Sequence, residues 1–240
     1  MRSNCGVVVI LTLIALFASC PPAGLAETGQ TTRISNENEQ ACTAGGGYPY
    51  REKSDYVLWE LDLKPGDVVV DIGAGDGFWA EKMAAAVGPQ GTIHAGEVGQ
   101  DKVDKMKEKF ADLPQVKPYL CPTDGTGLEE NSSDLAFLSK TYHHLEGHVD
   151  YLRGLRSVVK PTGRLVVIEH YRELAAGRGQ DHAWSPGLLT QQAEEAGWVL
   201  LRCELITGTY HFLAIFAQKE LFPIKQPERK PQPAAAAAAD

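Results

Sequence analysis

Residues Val68 to Gly77 read VVVDIGAGDG, and the way this stretch is read decides the fold. Asp67 to Ile72 is a short apolar run with the character of a buried parallel strand. It feeds directly into Gly73, Gly75 and Gly77, and from Asp76 to Val87 the pattern turns helical until Gly88-Pro89 stops it. Glycine at every second position lets the backbone pass close under a ligand with no side chain between. The spacing is GxGxG. A dinucleotide fingerprint needs GxGxxG, and three places after Gly75 stands Phe78, so a nicotinamide-dependent oxidoreductase is disfavoured.

Working outward, strand and helix patterns alternate. A helical spacing over Tyr50–Leu63 ends at Pro65-Gly66. After the glycine loop come a strand at Thr92–Val98, a charged helix at Gln100–Leu113, and strands at Val116–Cys121, Asp134–Ser139 and Arg164–His170. Helices are expected at His144–Val159 and Pro186–Ala196. Two closing strands, Val199–Ile206 and Tyr210–Gln218, are joined by Thr207-Gly208-Thr209, which suits a hairpin. The expectation is an α/β, Rossmann-like, doubly wound seven-stranded sheet, mostly parallel with an antiparallel last strand, and a ligand at the carboxyl ends of its strands.

The chain has 240 residues, enough for one sizeable core, and its 43% hydrophobic and 22% charged composition is that of an ordinary globular protein. Formal net charge is -8, with no Lys/Arg-rich run outside the C-terminal tail. That balance argues against a nucleic-acid partner and suits a small neutral or cationic ligand.

The ends read differently from the middle. Arg2 precedes an apolar run, Val7 to Phe17, of signal-peptide length. Phe17-Ala18-Ser19-Cys20 resembles a lipobox, in which Cys20 would be lipidated and attach the protein to a membrane. Gly24-Leu25-Ala26 offers an alternative cleavage after residue 26. Residues 1–19 are therefore expected to be a signal peptide, 20–47 a flexible tether, 48–222 the domain and 223–240 a disordered Pro/Ala tail, giving an exported, periplasmic or lipid-anchored protein. Of the remaining cysteines, Cys42, Cys121 and Cys203 form no CxxC, and Cys121 and Cys203 fall in expected strands as buried, inert thiols.

Two acidic residues extend the glycine loop into a site. Glu97 ends the next strand, about twenty residues on, where a carboxylate can accept from both hydroxyls of a ribose. Asp124 lies in the loop Pro122-Thr123-Asp124-Gly125 after the third strand, placed to accept from an adenine amino group. With these in place the chain from about Tyr50 to Lys219 resembles the class I S-adenosylmethionine (SAM)-dependent methyltransferases, especially small bacterial members that are often exported. The stretches that carry the resemblance are LDLKPGDVVVDIGAGDGFWAEKMAAAVGPQGTIHAGEV, LAFLSKTYHHL, VVKPTGRLVVIEHY, EEAGWVLL and YHFLAIF. The resemblance implies SAM as cofactor, with Asp71, Gly73, Gly75, Gly77, Glu97 and Asp124 holding it. Asp71 would orient the loop or meet the ligand's ammonium, and the amides at the helix start would meet its carboxylate. The chain departs from the pattern at Ser139-Lys140, where relatives often carry small, apolar or acidic residues.

Methyl transfer from a sulfonium is an in-line displacement, so alignment and desolvation carry most of it, and a base is needed only for a protonated acceptor. Thr141-Tyr142-His143-His144 follows the fourth strand at the same sheet end as the loop. His143 and His144 are the candidates for orienting an acceptor or taking its proton; only one of two neighbours faces a pocket, and the resemblance favours His143. Glu169, in Glu169-His170-Tyr171, either accepts from the acceptor or pairs with Arg172 or Arg164. His211 reads as a packed core histidine, and His182 and Trp184 occupy the place of a lid. A metal site from His143, His144 and His148 lacks a third partner on the helical turn that relates the last two. The expected function is transfer of a methyl group to a small-molecule or envelope acceptor. The alternative is an exported protein that binds SAM or a nucleoside without catalysis. An arsenite methyltransferase would need thiols in a pattern that Cys42, Cys121 and Cys203 do not make.

Overall fold

The computed structural model describes residues 49–173 and 183–222. The expected signal peptide, tether, C-terminal tail and Cys42 lie outside these, as does His182. A 3₁₀ turn at Pro49–Lys53 leads into α1 (Ser54–Leu61). Then come β1 (Val68–Ile72), α2 (Phe78–Val87), β2 (Thr92–Glu97), α3 (Gln100–Lys109), β3 (Val116–Leu120) and β4 (Ser133–Ser139). The second half holds α4 (His148–Val158), β5 (Val159–Tyr171), β6 (Ala183–Trp184), α5 (Pro186–Glu195), β7 (Trp198–Leu205) and β8 (His211–Gln218).

These elements form the expected sheet. Its order is β3-β2-β1-β4-β5-β8-β7, with the two-residue β6 pairing the end of β5. β1 to β5 pair in parallel, whereas β8 runs antiparallel to both β5 and β7. Only β8 is therefore reversed, because the tight connection from β7 inserts it between β7 and β5. That connection is wider than Thr207-Gly208-Thr209: Ile206 N–H donates to His211 O at 2.8 Å and Thr209 N–H to Ile206 O at 3.0 Å.

Strand alternation sends successive residues to opposite layers. Val69, Leu135, Phe137, Val166 and Ile168 pack with Val57, Trp79, Met83 and Met106 on the face covered by α1, α2 and α3. Val70, Ala136, Leu138, Leu165 and Val167 pack with Leu152, Leu155, Leu189 and Ala193 of α4 and α5 on the other. Both faces of the central strands are thus buried, which is why they read as unbroken apolar runs.

Several boundaries differ from the sequence reading, each for a local reason. α4 starts at His148, not His144, because Gly147 takes a left-handed φ of 59° and Tyr142–His144 forms a separate 3₁₀ turn. α3 stops at Lys109, where Phe110 leaves helical geometry with φ -105° and turns inward. Cys121 lies just past β3 and is buried; Cys203 is exposed on β7, the strand at the sheet edge, and so is not the buried thiol expected. Among the described residues no helix is long and apolar enough to cross a membrane.

Candidate functional site

The glycine loop sits at the carboxyl end of β1 and is pinned to β2. The amides of Gly73 and Ala74 both donate to Gly96 O at 2.9 Å. Gly73 has φ 73°, and a Cβ there would overlap the hydroxyl and methyl of Thr141. Gly75 has φ 61°, but a Cβ would meet no atom within 4 Å. Close packing demands glycine at the first position; at the second the backbone faces open space. Gly77, by contrast, packs on Phe110 and starts α2 without lining the cavity.

Glu97 locks the loop from below. Its Oε2 accepts from Gly75 N–H at 2.9 Å; its Oε1 accepts from Val98 N–H at 3.1 Å and from Lys102 Nζ at 3.3 Å. Only 5% of the residue is exposed. A carboxylate offers about four acceptor sites, so these bonds orient Glu97 without exhausting it. Glu97, Gly73, Gly75, Thr123 and Tyr151 line a cavity of about 410 Å³, within the range of sites that take a molecule of drug or cofactor size.

Asp71 lies just behind that cavity, 1% exposed, with no partner for its Oδ2 among the described residues. Burial, then the nearby carboxylates of Glu97 and Asp76, push its carboxyl up to about 7, with the Arg51 guanidinium pulling the other way. A buried acidic oxygen without a donor is costly unless a donor arrives. Asp124 is exposed in a turn and does not line the cavity; Cys121, Pro122 and Thr123 from the same loop do. The turn directs its side chain to solvent, so the structure brings Asp71, Gly73, Gly75 and Glu97 together and leaves Gly77 and Asp124 outside.

The acceptor-side residues divide in the same way. His144 is exposed and lines the cavity, whereas the His143 ring turns inward. His143 donates from its backbone N–H to Glu169 Oε1 at 3.2 Å and from Nδ1 to Oε2 at 2.9 Å, with side-chain exposures of 4% and 0%. Glu169 is thus paired to His143, not to Arg164, which donates to Leu61 O, or to Arg172, which donates to Ala183 O. Glu169 is fully buried and does not line the cavity. His148 sits 3.1 Å from Tyr142 O, and no group of three or more His, Cys, Asp or Glu among the described residues could hold a metal ion. Trp184 packs edge-on against Tyr142.

Sequence reasoning missed the wall supplied by the first turn of the domain. Tyr50 and Arg51 both line the cavity. Tyr50 hydroxyl lies 3.1 Å from Ser139 Oγ, and its ring packs at 4.3 Å on His211. Arg51 clasps Asp76 at 2.8 and 3.0 Å and lies over the Phe78 ring. Nothing in the periodicity around residue 50 marks these side chains, because they reach the site only through the chain's approach to α1. His211 is 2% exposed with both ring nitrogens unpartnered among the described residues, a packed histidine as expected.

An α/β sheet with one reversed strand, and a ligand-sized cavity over a GxGxG turn with an acidic residue ending β2, are the arrangement expected of a class I methyltransferase domain that binds SAM. The residues present fit that group, since Gly75 leaves open space, Glu97 faces the cavity and Asp71 holds an orphaned acceptor. The comparisons agree. Residues 69–163 match the family model described as a methyltransferase domain. A solved SAM-dependent methyltransferase from Aquifex aeolicus is 27% identical, with a TM-score of 0.65 over 70% of this chain and 93% of that one. Half of the chain is 30% identical to an uncharacterized 37.1 kDa transposon protein of Streptomyces fradiae. Half is also 25% identical to a ubiquinone/menaquinone biosynthesis C-methyltransferase of Burkholderia mallei. The matches span 34% and 50% of those two curated relatives. Residues 69–163 are therefore a methyltransferase domain, within a fold shared with the solved SAM-dependent enzyme.

Proposed function

We propose that the protein transfers a methyl group from SAM to a small-molecule or envelope acceptor. The observation that carries this is Gly75, which opens onto the cavity while its amide is held by Glu97 at 2.9 Å. Bound there, SAM would supply a methyl group on a sulfonium, and an acceptor atom attacking that methyl in line would release S-adenosylhomocysteine as the leaving thioether. Glu97 would accept from the ribose hydroxyls and Asp71 from the ammonium, while the Gly73, Ala74 and Gly75 amides hold the loop in shape through Gly96 and Glu97. Asp124, exposed beside the cavity, is the weaker of the proposed contacts; Thr123 from the same loop lines the cavity.

On the acceptor side His144 would orient the acceptor or take its proton, since it is the histidine that lines the cavity. His143 and Glu169 would act one layer back, holding the Tyr142–His144 turn in place. Export, with lipidation at Cys20, rests on the N-terminal segment alone. Fractionating cells that express the full chain and its Cys20→Ala variant tests it: both in the cytoplasm would end the export reading.

Tritiated SAM and cell extract test the activity. Label passing to an extract component supports transfer; retention without transfer supports the non-catalytic binder. Normal SAM binding by Gly75→Arg would show the site to be misplaced.

A further inference from the structure

The site holds a cation that the cofactor does not explain. Lys140 directly follows β4 and lines the cavity with Ser139, Thr141 and His144. Its backbone is left-handed, φ 59°, a conformation that costs a side-chain-bearing residue and favours glycine or asparagine. A lysine held there against its backbone preference at a cavity wall points to a use for the side chain.

The surroundings leave the ammonium without a counter-charge. Nζ stands 2.8 Å from His170 Nδ1, whose ring lies tilted at 4.1 Å to that of His211, a histidine that burial pushes down to about 2. No carboxylate of the described residues makes an ion pair with Lys140. Glu169, the nearest acidic influence, is engaged by His143. The other cations of the wall are matched, Arg51 by Asp76 and Lys102 by Glu97. Burial accordingly pushes the Lys140 amine below its ordinary value. The sulfonium and the half-buried Lys140 ammonium together outnumber the one carboxylate that SAM carries, so a further anion would pair the excess, because charges withdrawn from water are stable only when paired.

We propose that Lys140 is a specificity residue that anchors an oxyanion of the acceptor, a carboxylate or phenolate, in the part of the cavity between Tyr50 and His144. The inference rests on SAM occupying the glycine-loop side. It selects among acceptors by charge: amines would face Lys140 and the sulfonium together, whereas an oxyanion would neutralise the excess. Its reading in sequence was only the departure at Ser139-Lys140; the burial and the missing partner come from the fold.

The test uses the full chain saturated with S-adenosylhomocysteine, titrated with benzoate, benzamide and benzylamine. Wild type should bind benzoate at least about tenfold tighter than benzamide, the size of one charge-assisted hydrogen bond, and benzylamine least. Lys140→Met should erase the preference and Lys140→Arg keep it. Lys140→Gly, which suits the left-handed backbone, should erase it with no loss of melting temperature, separating recognition from folding. Equal binding of benzoate and benzamide by wild type, or a preference that survives in both Met and Gly variants, would overturn the proposal alone. Failure of wild type to bind S-adenosylhomocysteine would overturn the SAM reading and this proposal with it.

Discussion

Asp71→Asn separates the cost of a buried acid from its use. In the folded protein the Asp71 carboxyl titrates at about 7, against 3.8 for an ordinary carboxyl. Between those values the folded chain keeps a proton that the unfolded chain has lost. The group's stabilising contribution is therefore whole below 3.8 and is lost as pH rises through 7, falling by about 1.4 kcal/mol per pH unit. Above pH 7 the accumulated loss is roughly 4 kcal/mol, the shift of about three units multiplied by 1.36 kcal/mol. His211 works in the opposite direction. Its folded value of about 2 lies below the usual 6.5, so unfolding takes up a proton and stability falls as pH drops below 6.5. In wild type the two slopes oppose each other between about pH 4 and 6.5. Asparagine removes one of them. The Asp71→Asn variant should match wild type near pH 4 and exceed it by roughly 4 kcal/mol at pH 8, while showing a steeper loss in acid. Urea denaturation across that range, followed by tryptophan fluorescence, reads both curves, and groups common to the two proteins cancel in the difference. The same variant should bind SAM about 10- to 100-fold more weakly, because the acceptor that meets the ammonium loses its charge. A stability difference that is flat with pH, or a variant less stable than wild type at pH 8, would refute the reasoning.

Four further outcomes follow from the same geometry. Gly73→Ala meets both a left-handed backbone and Thr141, so it should cost about 2–4 kcal/mol and lower the melting temperature. Gly75→Ala, with open space around it, should cost about 1–2 kcal/mol and chiefly weaken SAM binding; calorimetry of the two variants with and without SAM checks the contrast. Glu169→Ala should destabilise by about 3–5 kcal/mol, because it strips the buried partner from His143. His144→Ala, at an exposed position, should change stability by less than about 0.5 kcal/mol yet slow turnover about 100-fold or more if it takes the acceptor's proton. Equal effects of the two on stability would contradict the inward and outward placement of the histidine pair.

The order and type of the elements, and the ligand they serve, were legible in the sequence by itself. β1 and β4 are buried on both faces, so Val68–Ile72 and Leu135–Leu138 carry their strand signal locally. The GxGxG spacing is likewise a backbone property, readable without knowing what surrounds it. Glu97 was legible because the end of β2 falls at a regular distance from the loop. Tertiary structure decided which of two adjacent histidines meets the cavity. It did so by replacing the expected start of α4 with a 3₁₀ turn, so that Glu169 from β5 captures His143. It also brought Tyr50 and Arg51 across from the first turn of the domain, turned Asp124 to solvent, and left Lys140 without a carboxylate partner among the described residues. The ionisation of Asp71 belongs to the same set. Its position is fixed by the strand, but its carboxyl is raised because the packed fold excludes water around it and the Glu97 and Asp76 carboxylates repel its charge. Local pattern specifies backbone and period. Charge state, orientation and partnership depend on what the fold brings alongside.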